Sequence, residues 1–257
     1  MIKTWLVHPL ARGLDLDDPA TTARRRQIIE QKPFLRDIYT EWYSAVAKAV
    51  PPGPGRVLEL GSGAGFLRDF VPGLITSDTF LCPDIDLVLD GLCLPFVDRS
   101  LRAIVMTNVL HHLPDARRFF EEASRCVRPG GAMVMVEPWV SRWSTTIYTR
   151  LHHEPFHPDA PGWEFASTGP LSGANGTLPW ILFARDRARF ERELPTWSVE
   201  LIEPFMPFRY VVSGGVSLRT LMPGWTSGFW SRFEELMGGA AVRMAMFARI
   251  VLRRSQA

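Results

Sequence analysis

The octapeptide ELGSGAGF at residues 59–66 is the most informative stretch of this sequence. It follows the apolar run Val57–Leu60 and leads into a short helical pattern at Phe66–Phe70, which is the strand–turn–helix context of a nucleotide-binding loop. Its glycines permit a sharp turn and leave room for a ligand against the backbone. A dinucleotide-binding loop needs a glycine three residues after its second, where this chain has Phe66. A nicotinamide-linked reductase is therefore disfavoured.

Short apolar runs alternate with amphipathic stretches on both sides of this loop. The predicted strands are Val57–Leu60, Leu74–Thr76, Leu87–Leu89, Ala103–Met106, Ala132–Val136, Val199–Ile202 and Met244–Leu252. The predicted helices are 19–50, split at Pro33, then the short Phe66–Phe70, Asp115–Val127 and Arg185–Glu193. Alternation of apolar strands with helices predicts an α/β fold with a doubly wound, mostly parallel sheet.

Breaker residues and composition divide the chain into segments. The run PPGPG at 51–55 ends the first helices, which predicts an N-terminal helical cap over 1–52 and a main domain over 53–257. Residues 139–198 are rich in Pro, Gly, His and Trp, and we expect them to form an insertion that acts as a lid before the last strands. Seven of the nine tryptophans lie in this insertion or after it. We expect them to form either the core of a lid or an apolar substrate pocket.

Composition excludes several classes of protein. The 257 residues are 46% hydrophobic and 22% charged, which suits a globular domain with a substantial core. A net charge of +2 with scattered basic residues argues against a nucleic-acid surface. Three cysteines without paired spacing argue against disulfides and a zinc cluster, and no metal site is predicted. Because neither a signal-peptide core nor an apolar run of ~18 residues is present, we expect a cytoplasmic protein without stable membrane insertion.

Four motifs in a fixed order resemble those of the class I S-adenosylmethionine-dependent methyltransferases. The octapeptide is similar to the family's first motif, and Asp78 stands where the family has the acid that holds both ribose hydroxyls. Asp90-Gly91, followed by LPF at 94–96, resembles the segment whose carboxylate receives the adenine amino group. RPGG at 128–131 resembles the helix-to-strand turn. The chain looks like an uncharacterised bacterial group of type 11 methyltransferases, although Arg102 stands where the family often has an acid.

This resemblance implies a Rossmann-like, seven-stranded sheet and S-adenosyl-L-methionine as the cofactor. Glu59 is then expected to hold the methionine end, and Asn108 opens the segment under the cofactor. Carboxylates suit a ligand that carries an ammonium group, a sulfonium and sugar hydroxyls. The residues implied to bind the cofactor are Glu59, Gly61, Ser62, Gly63, Gly65, Phe66, Asp78, Asp90, Gly91 and Asn108.

Histidines after the fourth and fifth predicted strands are candidates for a catalytic base, namely His111, His112 and His153. A base can accept a proton from an oxygen or nitrogen acceptor, but many methyl transfers rely on alignment alone, so a packing role for each histidine stays open. Residues 153–157 match the HExxH pattern of zinc proteases. Pro155 and Pro158 oppose the continuous helix that this pattern requires, so a metalloprotease is disfavoured.

The sequence as a whole predicts transfer of a methyl group to a small-molecule acceptor, apolar or aromatic in character, with neither nucleic acid nor membrane as a partner. The alternative is a subunit that binds the cofactor without turnover and serves a partner enzyme. Equilibrium binding would separate both from a reductase, because only a reductase should prefer a nicotinamide dinucleotide.

Overall fold

The computed structural model describes residues 5–15, 17–152, 154–167, 169 and 173–256. Within these residues, one seven-stranded sheet has the order β3-β2-β1-β4-β5-β7-β6. Its strands are β1 Arg56–Leu60, β2 Leu74–Asp78, β3 Leu87–Val88, β4 Leu101–Thr107, β5 Val127–Pro138, β6 Trp197–Phe205 and β7 Phe247–Arg254. β7 runs antiparallel to both of its neighbours, whereas the β1–β2, β1–β4, β2–β3 and β4–β5 pairs are parallel. The prediction of a doubly wound, mostly parallel sheet is confirmed.

Helices flank the sheet and connect its strands. They are α1 Pro19–Gln31, α2 Pro33–Ala49, α3 Ala116–Cys126, α4 Arg142–Leu151, α5 Leu178–Trp180, α6 Arg187–Glu193, α7 Arg209–Ser213, α8 Ser227–Met237 and α9 Gly239–Arg243. The Asp18 carboxylate caps α1 by accepting from the Ala20 N–H, and Asp115 caps α3 by accepting from the Arg118 N–H. Pro33 is the first residue of α2, so the predicted split of the first helix is confirmed.

Two hydrophobic layers cover the two faces of the sheet. One layer packs α3, α5 and α6 against the strands, with Phe119, Phe120 and Phe190 fully buried. The other packs α2 against the opposite face through Phe34, Trp42 and other side chains of its amphipathic stripe. The N-terminal helices therefore share the core of the sheet instead of forming a core of their own.

The predicted insertion is partly built into this core. Trp163 is almost fully buried, and the π-helical turn Ile181–Arg185 buries its first three side chains beside α3. Backbone hydrogen bonds join the insertion to the segment that precedes α3, from the Ala116 N–H to the Trp163 carbonyl and from the Phe165 N–H to the Pro114 carbonyl. The sequence left two roles open for the tryptophans of the insertion, a packed core and a substrate pocket. Trp163 has the packing role.

Two local differences separate the structure from the sequence prediction. The expected helix at Phe66–Phe70 is only a 3-10 turn, Leu67–Asp69, because the chain reaches β2 within a few residues. Helices α7–α9 between β6 and β7 were not predicted, since glycines and a proline interrupt their apolar periodicity. Among the described residues, no helix is both long enough and apolar enough to cross a bilayer.

Candidate active site

A cavity of about 640 Å³ opens at the carboxyl ends of the central parallel strands. This edge of a doubly wound sheet is where ligands bind in such folds. Its walls come from α1 and α2, from the loops after β1, β2, β3, β4 and β5, and from the segment around Tyr210. Of the residues predicted to bind the cofactor, the cavity is lined by Glu59, Gly61, Ser62, Gly63, Gly65, Asp78, Asp90, Gly91 and Asn108.

Hydrogen bonds fix the glycine loop to the end of β2. The Ser62 N–H donates to the Ser77 carbonyl at 2.8 Å, and the Ser62 hydroxyl accepts from the Ser77 N–H at 3.1 Å. The Gly63 N–H donates to Asp78 Oδ2 at 3.0 Å. Ser62 and Asp78 therefore shape the loop as well as line the cavity.

The loop glycines are required partly by neighbouring side chains. A Cβ on Gly65 would lie 2.3 Å from the Tyr43 hydroxyl oxygen, and one on Gly61 would lie 2.4 Å from Val109 Cγ2. Gly61 and Gly63 also have φ values of +64° and +43°, which favour glycine. From the sequence, we expected the space beside Gly65 to admit a ligand. In the structure, the Tyr43 side chain occupies this space.

Three carboxylates line one end of the cavity. Glu59 is buried at the end of β1, and burial raises its pKa to about 7. Burial also raises the pKa of Asp78, although the N–H groups of Phe80, Thr79 and Gly63 offset part of this effect. Asp90 is exposed at the cavity, and its Oδ1 accepts from the Leu92 N–H at 2.8 Å.

These residues fit S-adenosylmethionine in chemistry and in space. Carboxylates offer acceptors to an ammonium group and to sugar hydroxyls, and the glycine loop exposes backbone without side chains in the way. The Thr107 hydroxyl, which also lines the cavity, is buried without a hydrogen-bond partner among the described residues. A ligand that offers it a partner would remove the cost of this burial.

Phe66 does not line the cavity. Its ring packs edge-on against Tyr43 at 5.0 Å between centroids, and the Arg36 guanidinium lies over its face. The residue fixes the glycine loop against α2, so the expected contact between Phe66 and the cofactor has no counterpart in this geometry.

The loop after β4 is held in an unusual conformation by a buried carboxylate. Asn108 has φ +57°, a left-handed conformation that asparagine tolerates better than most residues. Glu137, fully buried at the end of β5, accepts the N–H groups of Val109 and Leu110, each at 2.8 Å. Sequence reasoning missed Glu137, although an acid at the end of the apolar strand MVMVE was an available signal.

His111 and His112 are brought together with Glu154 in the wall of the same cavity. Nδ1 of His111 lies 2.6 Å from Glu137 Oε2, and its Nε2 lies 3.4 Å from Glu154 Oε2. Nε2 of His112 lies 3.9 Å from Glu154 Oε1, and His152 also contacts Glu154, at 3.1 Å. His153, the third predicted catalytic histidine, lies outside the described residues.

Burial and neighbouring charges shift the pKa values of His111, His112 and Glu154. Burial opposes the charged form of His111, but Glu137 and Glu154 outweigh it and raise the His111 pKa to about 10. Burial, together with the charge on His111, lowers the pKa of His112 to about 3. Burial opposes the charged form of Glu154 as well, yet His111 and His152 hold its pKa well below the usual range.

The HExxH pattern forms no helix in the described residues, because α4 ends at Leu151 and Glu154–His157 is irregular. Glu154 nevertheless contacts His111 and His112 from the loop after β4, and His152, which precedes the pattern.

Aromatic rings form much of the remaining wall of the cavity. These rings belong to Tyr39, Tyr43, Tyr148, Tyr210 and Phe247. No tryptophan is among the described residues that line the cavity, so the tryptophan-lined pocket considered from the sequence is replaced by tyrosines and Phe247. These rings come from α2, α4, α7 and β7, which pack together only in the folded chain.

Comparisons with known proteins find similarity to methyltransferases. Residues 58–135 match the family model described as a methyltransferase domain. The demethylmenaquinone methyltransferase of Corynebacterium kroppenstedtii is 31% identical over 164 residues, which cover 54% of this chain and 70% of that protein. That of Renibacterium salmoninarum is 30% identical over 111 residues, covering 37% of this chain and 47% of the relative. Apart from the Corynebacterium protein, the chain spans about half the length of the curated relatives that it matches.

Solved structures share the fold over nearly the whole chain. A chain of the complex between the Haloferax volcanii Trm112 methyltransferase activator and a methyltransferase has a TM-score of 0.54 at 17% identity, covering 95% of this chain and 99% of its own. The geranyl diphosphate C-methyltransferase of Streptomyces coelicolor A3(2) has a TM-score of 0.52 at 12% identity, covering 100% and 92%. With the sheet order, the ordered motifs and the Corynebacterium relative, the conclusion is that this chain belongs to the class I S-adenosylmethionine-dependent methyltransferases.

Proposed function

We propose that the protein transfers a methyl group from S-adenosylmethionine to an apolar, ring-bearing small molecule. The observation that carries this proposal is that two chemically different groups of residues line one cavity, and we assign them to its two ends. Glu59, Asp78 and Asp90 form the acidic group, while Tyr148, Tyr210, Phe247 and the His111–His112–Glu154 group form the other. A cationic cofactor and an apolar acceptor need this division.

The acidic end would hold the cofactor. Asp78 would accept hydrogen bonds from the ribose hydroxyls, and Asp90 from the adenine amino group. Glu59 would accept from the ammonium group of the methionine end, directly or through water. When bound, S-adenosylmethionine supplies a methyl group on a positively charged sulfur, which a nucleophile displaces. The ammonium group would also stabilise the charged form of Glu59, whose pKa burial raises to about 7.

The ring-walled end would orient the acceptor. Tyr148, Tyr210 and Phe247 offer flat apolar surface, and an aromatic or quinone-type ring can pack against them by offset or edge-on contact. The two relatives described above are named for demethylmenaquinone, which supports an acceptor with such a ring. Burial of the acceptor between these rings also excludes water from the reacting atoms.

Of His111 and His112, the two candidates in the described part of the chain, His112 is the one that would accept a proton, and its low pKa makes it a weak base. Both ring nitrogens of His111 face carboxylates. In His112, Nδ1 donates to the Gly173 carbonyl at 3.2 Å, and Nε2 faces Glu154. Nδ1 therefore carries the hydrogen, and Nε2 carries a lone pair. For an acceptor that loses no proton before attack, alignment of nucleophile, methyl carbon and sulfur would be sufficient.

Incubation with S-adenosylmethionine and a panel of reduced quinones, phenols and linear apolar alcohols tests this function. We expect S-adenosylhomocysteine and an acceptor heavier by one CH2 with the ring compounds, and less of both products with Asp90→Ala at a limiting cofactor concentration. Cofactor binding without turnover on any acceptor, including a small-molecule extract of bacterial cells, would instead favour the cofactor-binding partner subunit.

A further inference from the structure

Three side chains at the acceptor end of the cavity converge as metal ligands do. His111, His112 and Glu154 each offer one ligand atom, and these atoms all lie within 4.8 Å of one another. We call this group the His-His-Glu triad. Two imidazoles and one carboxylate from separate loops form a common ligand set for a catalytic metal, which leaves a position open for water or substrate.

The other ring nitrogen of each histidine is already engaged, as in most protein metal sites. Nδ1 of His111 donates to Glu137, whose remaining oxygen accepts two backbone N–H groups. Nδ1 of His112 donates to the Gly173 carbonyl. Partners of this kind fix the tautomer and the ring orientation of metal-bound histidines. Both histidines therefore present Nε2 toward Glu154 and the cavity.

A positive group in the space between the triad atoms would be attracted to both His112 and Glu154. Its Nε2 lone pair faces the Glu154 carboxylate at 3.9 Å, which is too long for a hydrogen bond and brings two electron-rich groups together. A cation between them would turn this repulsion into attraction on both sides.

The spacing is close to that of a bound metal. Tetrahedral ligands about 2.0–2.1 Å from zinc lie about 3.4 Å apart. His111 Nε2 and Glu154 Oε2 are 3.4 Å apart already, and the widest triad pair needs to close by about 1.5 Å. Side-chain rotation of Glu154, whose side chain is 13% exposed, supplies movement of this size without displacement of a strand.

We propose that the His-His-Glu triad binds one divalent transition-metal ion of the zinc class. Imidazole nitrogens favour such ions over magnesium and calcium, which prefer sets made of oxygen alone. On binding, the metal replaces the proton that lies between His111 Nε2 and Glu154. The open position faces the cavity, where it would take an oxygen of the acceptor; this use of the metal, unlike the site itself, rests on the proposed function.

Cobalt titration of the untagged full-length protein tests the site without any activity measurement. Tetrahedral Co²⁺ absorbs strongly in the visible range, so we expect one equivalent to bind with that spectrum. Zinc should displace the cobalt, and magnesium should not. His112→Ala and Glu154→Gln should each weaken binding about a hundredfold or more, because even the loss of a supporting contact costs about 10–100-fold.

A matched variant and a parallel measurement make the result decisive. His157→Ala removes an exposed histidine outside the triad and should leave cobalt affinity unchanged. Binding of S-adenosylhomocysteine, measured on every variant, reports folding and tests the cofactor site separately. Absence of stoichiometric cobalt and zinc binding in a protein that binds S-adenosylhomocysteine would overturn the metal site and leave His112 as a base. Equal cobalt affinity in His112→Ala and His157→Ala would overturn it as well.

Discussion

Asp78 combines two roles in one carboxylate. Its Oδ2 accepts the Gly63 N–H at 3.0 Å and its Oδ1 accepts the Phe80 N–H at 3.2 Å, so it shapes the glycine loop before any ligand arrives. Asp90 makes hydrogen bonds within its own turn, where its Oδ1 accepts from the Leu92 N–H and its carbonyl accepts from the Cys93 N–H. The two acids should therefore respond differently to mutation.

Asp90→Ala should weaken S-adenosylmethionine binding about ten- to hundredfold with little change in stability, since one charge-assisted hydrogen bond contributes about 1.5–3 kcal/mol. Asp78→Ala should weaken binding at least as much and also lower the free energy of unfolding, because the loop N–H groups lose their acceptor. Titration calorimetry and urea unfolding measure the two effects. Asp98→Ala, a change at an exposed acid paired with Arg125, is the control; unchanged affinity in both site variants would refute the assignment.

Glu59 should make the unliganded protein less stable as the pH rises. Its pKa is about 7 in the folded protein against an ordinary value of 4.5, so the unfolded chain releases this proton first. Unfolding should therefore become easier by about 2–3 kcal/mol between pH 5 and pH 8, with no further change above that range. Glu59→Gln should not show this pH-dependent loss of stability. It should also bind the cofactor more weakly. Urea unfolding of both proteins at the two pH values measures the difference, and parallel pH dependences would contradict the account.

At the scale of single residues, the sequence predicted the acids that follow strands and missed those that depend on distant partners. Glu59, Asp78 and Asp90 each stand at or just after a strand, where strand order alone places them at one edge of the sheet. Glu137 and Glu154 acquire their roles from the loop after β4, which neither adjoins in sequence. Phe66 was assigned to the cofactor because it adjoins the loop, but it is an aromatic contact of α2.

At the scale of elements, the glycine loop and α2 fit together through one close contact. Gly65→Ala should lower the free energy of unfolding by about 1–3 kcal/mol, since its Cβ would lie 2.3 Å from the Tyr43 hydroxyl. Tyr43→Phe removes that oxygen and should recover part of the loss. A double-mutant cycle by chemical denaturation gives the coupling energy. Additive effects would mean that the loop is not constrained by α2.

Most strands and the longer helices were predictable, because their period and their caps are local. The seven strands follow the expected order in the chain, although β5, β6 and β7 begin and end a few residues from the predicted bounds. Helices α4, α5 and α7–α9 were missed, and long-range contacts hold α7–α9. Arg209, for example, bonds to Glu234 and to Glu41 of α2, and neither partner is visible in a local pattern.

At the scale of the whole molecule, the insertion should behave as two different parts. We expect slow hydrogen exchange at Trp163 and Ile181–Phe183 in both the free and the cofactor-bound protein, because these residues are in the core. Within the insertion, protection on binding should be confined to the cavity-lining positions Glu154, Ser167 and Gly169, where the lid prediction still stands. Fast exchange throughout 139–180 in the free protein would instead mean that the entire insertion closes as a lid.

A crystal structure with S-adenosylhomocysteine would report on both ends of the cavity at once. We expect the ligand to lie in the cavity with its ribose hydroxyls on Asp78 and its adenine beside Asp90. Its sulfur should face the tyrosine-lined end and the His-His-Glu triad. A ligand outside this cavity, or one with its adenine against the triad and its amino acid end at Asp90, would contradict the assignment of the two ends and with it the proposed reaction.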